Sequence, residues 1–177
     1  MRFILIFSFL TIISSCKSNK TNITTQSKEL SIAKLESDCP SDGICRIKIE
    51  KNKQLLLKSD YIGKLYYELM NDTSKSVVIY EYSRNPPTDL QDASYREEII
   101  FEISNNLDHL ELTNSELGNL KMLFGRHCFC RGQAGYYPVK QGKINLINEN
   151  NNIRFSLQFT VNDVPQIINN INNKSPK

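Results

Sequence analysis

The sequence predicts a mainly β domain, a small antiparallel sandwich or barrel with a C-terminal helix. Three observations carry that expectation: apolar and polar residues alternate over short segments, polar turn signals separate these segments, and one late stretch changes to the helical period. Cys45, Ile47 and Ile49 alternate with Arg46, Lys48 and Glu50, which puts two unlike faces on one strand. Lys51-Asn52 reads as a turn, with Leu55-Leu56-Leu57 as the returning hairpin strand. Residues 77–82 are β-branched or aromatic on nearly both faces and predict a central strand. Ile99, Phe101 and Ile103 alternate with Glu98, Ile100 and Glu102, and Leu110 and Leu112 alternate with His109 and Glu111. Residues 144–147 and the apolar series Phe155, Leu157, Phe159 and Val161 flank an asparagine-rich loop, the pattern of a hairpin.

Two helices are expected. Asn114 or Ser115 would cap a short turn through Asn119. Asn162 or Asp163 would cap a helix with Pro165 in its first turn. On that helix Val164, Ile167, Ile168 and Ile171 form one apolar stripe. Residues 83–95, with Pro86-Pro87, read as the longest loop.

Size and charge bound the function. A chain of 177 residues makes one ordinary domain, and 40% apolar with 23% charged residues is the balance of a globular protein. A net charge of +3 is too small to make nucleic acid the main partner. No catalytic signature of the G-x-S-x-G, H-E-x-x-H, phosphate-loop or dinucleotide type occurs.

The first sixteen residues hold the most specific pattern. Arg2 precedes a nearly unbroken apolar run over residues 3–13, which is shorter than the about 20 residues of a membrane-spanning helix but suits a signal peptide. Ile13-Ser14-Ser15-Cys16 follows, and this order resembles the lipobox of bacterial lipoproteins. The resemblance implies removal of residues 1–15 and a lipidated Cys16, carrying a thioether-linked diacylglycerol and an acylated amine. Several acyl chains together anchor firmly where one is marginal. Residues 16–36 then form a polar tether and residues 37–177 a single β-rich domain. Lys17, with no acidic cluster after it, points to the periplasmic face of the outer membrane. The stretch Cys-Phe-Cys-Arg-Gly-Gln-Ala-Gly-Tyr-Tyr makes the body similar to small envelope lipoproteins of the Bacteroidota, a likeness that implies no activity.

Cys39, Cys45, Cys128 and Cys130 remain, an even set for an oxidising compartment. Side chains two apart on an extended strand sit roughly 6.5–7 Å apart, too far for a disulfide without a bend. That favours bonds joining the 39–45 segment to the 128–130 segment over pairing within each. Neither the C-x5-C and C-x-C spacing nor two histidines suit a zinc site, and no cofactor is implied.

Residues 125–142 hold four of the seven glycines. Arg126, Arg131, Tyr136 and Tyr137 there make a candidate binding patch for a glycan, an anionic lipid group or an envelope protein. His127 beside Cys128 does not form a catalytic pair on an extended strand, because neighbours point to opposite faces. Glu97, Glu98 and Glu102 read as an exposed strand face rather than a glycosidase pair. The expectation is a lipid-anchored binding or structural module with no catalytic site. The alternatives are a small envelope enzyme or thiol–disulfide protein using Cys128 and Cys130, or a periplasmic inhibitor or immunity-type lipoprotein.

Overall fold

The computed structural model describes residues 39–86, 94–149 and 152–173. The expectations for the signal peptide, Cys16 and the tether lie outside the described residues. The fold is mainly β. Among the described residues nine strands form two antiparallel sheets: β1 (Gly43–Ser59), β2 (Leu65–Arg84), β3 (Tyr95–Ser104), β4 (His109–Thr113), β5 (Leu123–Cys128), β6 (Gly135–Pro138), β7 (Gln141–Glu149), β8 (Asn152–Thr160) and β9 (Asn170–Asn173). One sheet has the order β1-β2-β3-β5-β6, and the other β4-β7-β8-β9.

Between the sheets lies the main core. Ile47, Val78, Tyr80, Ile99, Phe101 and Phe124 meet Ile144, Leu146, Phe155, Leu157 and Phe159, all buried. Phe101 and Phe155 pack edge to face at 5.4 Å between ring centres. The β7–β8 hairpin keeps the expected alternation, with Ile153, Phe155, Leu157 and Phe159 inward. A short 3-10 helix, Asn114–Leu120, buries Leu117 and Leu120 against this core.

The first two strands depart from the expected hairpin at Lys51-Asn52. Asn52 adopts φ 57°, a left-handed conformation that asparagine tolerates, and the ladder jumps from Lys51↔Ser76 to Lys53↔Asn71. The pair turns a corner there instead of ending, and Leu55 and Leu57 continue the same strand. The outer half of β1 and β2 folds back over the far face of the large sheet. Leu65 then pairs with Tyr136, which closes β2, β3, β5 and β6 into a four-stranded barrel. Leu55, Val77, Ile100 and Leu123 fill this second, smaller core. The strand β3 is therefore covered on both sides.

The expected C-terminal helix is absent. Residues 161–169 run as irregular chain and lead into β9, where Ile171 pairs with Leu157. A side chain from the sheet replaces the helical hydrogen bonds: Glu97 accepts from the backbone N–H of Ile167 at 2.8 Å and of Ile168 at 2.7 Å. Gln166 accepts from Val161 N–H and donates to the carbonyl of Ile168. Of the apolar residues read as a helical stripe, Val164, Ile168 and Ile171 are buried and Ile167 is half-buried, all on an irregular, largely extended path. Val164, Ile168 and Ile171 still close the main core.

Glu97 is the acceptor for both amides, so Glu97→Ala should cost about 3 kcal/mol or more, since each lost bond to a charged acceptor leaves a buried donor. Chemical denaturation measures that loss. Hydrogen exchange should show faster exchange at Ile167, Ile168 and β9 than in the β7–β8 pairing.

Candidate functional site

The alternation of β3 sends Glu97 to the main core and Glu98 and Glu102 into the barrel. These three are buried, at 1%, 3% and 5% exposure, which corrects their reading as a solvated face. A buried carboxylate survives only if hydrogen bonds and charge replace its water. Glu98 and Glu102 have both, and Glu97 has the hydrogen bonds, from two backbone amides and the Tyr95 hydroxyl.

Glu98 lies at one mouth of the barrel. Tyr136 donates its hydroxyl to Glu98, His127 Nε2 lies 3.2 Å from Oε1, and Arg96 reaches Oε2 at 3.2 Å. Arg96 also bonds Glu81 at 2.9 Å. Tyr136 packs edge to face on Tyr67 and on His127, with ring centres 5.2 and 5.4 Å away. The facing residue on β5 is Gly125, and a Cβ there would sit 2.7 Å from both Glu98 Cγ and the Tyr136 ring. Glycine makes room for the carboxylate. Burial works to raise the pKa of Glu98, but the bonds from His127 and Tyr136 and the charge of Arg96 outweigh it and hold the carboxyl below the ordinary range. Burial first, then the bond to Glu98, pushes the Tyr136 phenol far above its usual range, so it stays a donor.

Glu102 closes the other mouth. It accepts from Lys75 at 2.6 Å, from Lys121 at 3.0 Å and from the backbone N–H of Leu55 at 2.9 Å. Burial again opposes ionisation, and these partners outweigh it and lower the pKa. Two residues of one strand four apart lie about 13 Å apart, beyond the roughly 6.5–9.5 Å of paired glycosidase carboxylates. Glu97 and Glu98 point to opposite faces. No acid–base pair forms among the three.

The cysteines pair within each segment, Cys39 with Cys45 and Cys128 with Cys130. This corrects the expected bonds between the segments. Cys45 is on β1 and Cys128 on β5, three strand spacings or about 14 Å apart across the sheet. The chain bends at Phe129, just past the end of β5, and brings the Cα atoms of Cys128 and Cys130 to 5.2 Å. That is the bend an i, i+2 bond requires.

The four residues of the expected patch do not share a surface. Arg126 is 9% exposed; its guanidinium lies over the Tyr95 ring at 5.5 Å and bonds Gln133. Tyr137 packs against the main core, Tyr136 enters the barrel, and Arg131 stands exposed in the 129–134 loop. Alternation along β5 and β6 separates them.

Three residues that the sequence reading did not single out mark the surface instead: Phe129, Tyr61 and Ile62, at 97%, 98% and 62% exposure. Tyr61 and Ile62 form the tip of the β1–β2 hairpin, where Asp60 Oδ1 accepts from the backbone N–H of Ile62 and of Lys64. A phenylalanine between two cysteines, and a tyrosine and isoleucine inside a turn, were the available signals. Lys64 Nζ donates to the Ala134 carbonyl at 3.5 Å and joins the two loops. An open hollow of about 300 Å³, lined by Leu65, Gly132, Tyr136 and Tyr137 among others, lies between them. Among the described residues, no group of three or more His, Cys, Asp or Glu is placed to hold a metal ion.

No protein-family model, curated protein or solved structure matches this chain.

Both barrel carboxyls ionise more readily in the folded than in the unfolded chain. Their stabilisation is complete above the unfolded value of about 4.3 and is lost as pH falls through the lower folded values. Unfolding free energy should therefore drop below about pH 4.3. Glu98→Gln and Glu102→Gln should each flatten that acid limb in urea melts taken from pH 7 to 2.5. An acid limb identical in wild type and both variants would remove the barrel carboxylates as its cause.

Proposed function

We propose that the chain is a lipid-anchored binding or structural module of the cell envelope, held by Cys16 at the periplasmic face of the outer membrane. Binding is favoured over catalysis because the buried carboxylates spend their lone pairs inside the fold, while the most exposed apolar side chains stand on two braced loops. A disulfide fixes one loop and an aspartate turn the other, and such preorganised apolar tips suit a recognition surface. Labelling cells with a radioactive fatty acid tests the anchor. Wild type should take up label, and Cys16→Ser should not, because the lipoprotein peptidase requires the diacylglyceryl thioether. Absence of label on both proteins, with the wild type soluble in the periplasm, would make the leader an ordinary secretory signal.

A second reading, thiol–disulfide exchange, is favoured by one observation: Cys128 and Cys130 pair with each other at the exposed tip beside His127. Thiol counting separates the two. A binding module shows no free thiol and resists glutathione, whereas an exchange protein is reduced by glutathione to two thiols that re-form the disulfide on oxidation.

A further inference from the structure

The described domain has one end unlike the rest. The pairings Gly43↔Arg84, Ser83↔Arg96, Arg96↔His127 and Arg126↔Gly135 align the start of β1, the end of β2, the start of β3, the end of β5 and the start of β6. The fold-back of β1 and β2 returns the hairpin tip to that same end, because Leu65 pairs with Tyr136. Seven large apolar side chains are exposed among the described residues, and the four most exposed all stand here: Tyr61 at 98%, Phe129 at 97%, Ile62 at 62% and Ile44 at 51%. The other three, Leu56, Tyr66 and Met70, are on the folded-back outer half of β1 and β2. Lys64 and Arg131 are exposed beside the tips, while Asp42 at this end is neutralised by Arg84 at 3.0 Å.

The chain outside the structure enters here too. The bond between Cys39 and Cys45 pins residue 39 to the start of β1. Twenty-two residues separate Cys39 from Cys16. As a random coil that length spans about 26 Å. The entry point thus brings the apolar, cationic end, rather than its opposite, within reach of whatever surface holds Cys16.

We propose that this end docks on the bilayer, with Phe129, Tyr61 and Ile62 seated at the headgroup boundary and Lys64 and Arg131 against anionic headgroups. Aromatic and aliphatic side chains with flanking cations suit that boundary, where apolar groups bury about 5–10 Å deep and amphipathic rings are favoured. The proposal rests on the lipid-anchor reading for proximity to the membrane. The contact itself is a separate claim and is read separately.

The chain has no tryptophan, so one introduced residue reports alone. Full chain bearing Phe129→Trp, purified from membranes of the expressing cells, is reconstituted into phosphatidylethanolamine–phosphatidylglycerol vesicles with brominated acyl chains. Met70→Trp, at the opposite end, is the control. Both positions are exposed enough for the fold to accept the change. Flotation with the vesicles reads the anchor, and quenching reads the docking. The expected result is flotation of both proteins, with tryptophan at 129 blue-shifted and quenched and tryptophan at 70 unquenched. Lys64→Gln and Arg131→Gln should each lower the docked-to-undocked ratio by about fivefold on phosphatidylglycerol vesicles and leave it unchanged on phosphatidylcholine.

Flotation without quenching at 129 overturns the docking and leaves the anchor standing. Equal quenching at both positions overturns the orientation. Loss of both flotation and quenching overturns docking and anchor together. A blue shift at 129 that depends on protein concentration and not on vesicles assigns the end to a second copy of the chain, and overturns the proposal.

Discussion

The architecture depends on one strand that keeps carboxylates where apolar residues are the norm. Along β3, Glu97, Glu98 and Glu102 are buried, and each is satisfied by a different part of the chain. Glu97 holds the backbone at Ile167 and Ile168, Glu98 holds Tyr136, His127 and Arg96, and Glu102 holds Leu55, Lys75 and Lys121. Removing any one partner set would strand a charge in a medium that solvates it poorly. The irregular C-terminal segment, the β5–β6 connection and the folded-back hairpin are thereby positioned from one place. One of these attachments, Glu97 at Ile167 and Ile168, stands where the chain forms no regular secondary structure.

The same arrangement occupies these three carboxylates. A carboxylate becomes an acid or base when its partners are few and a substrate can approach it. Here Glu98 and Glu102 meet donors on several sides, and Glu97 is spent on main-chain amides. The surface carries the contrast: among the described residues, exposed charges meet in pairs such as Lys58–Glu68 and Arg46–Glu81, while the three most exposed apolar side chains, Tyr61, Phe129 and Ile62, stand on two loops.

Much of the β framework was legible. The alternation of Ile99, Phe101 and Ile103 and of Phe155, Leu157 and Phe159 reports a two-faced environment directly, and both strands are where that period put them. What failed was longer in range. A three-residue jump in register at Lys51/Lys53 cannot be told from a hairpin turn by residues that look alike in both. Nor could Val164, Ile168 and Ile171 reveal an extended path, because helical spacing in a short asparagine-rich stretch says that these residues are buried, not how. Glu98 and Glu102 were misread for a related reason: polar alternation implies solvent only if the second face is uncovered, and a hairpin some 30 residues earlier covers it. The cysteine pairing turned on a strand order that no local spacing encodes.

The disulfide at the start of β1 has a mechanical consequence. Tension on the chain before Cys39 does not first load the turn through Pro40 and Gly43; it crosses the sulfur bridge to Cys45, which is 8% exposed and already part of the main core. From there the pull runs along the axis of β1, so the rungs it shares with β2 are sheared together rather than peeled one after another. Pulled from before Cys39, the domain thus meets force along its most cooperative direction of resistance.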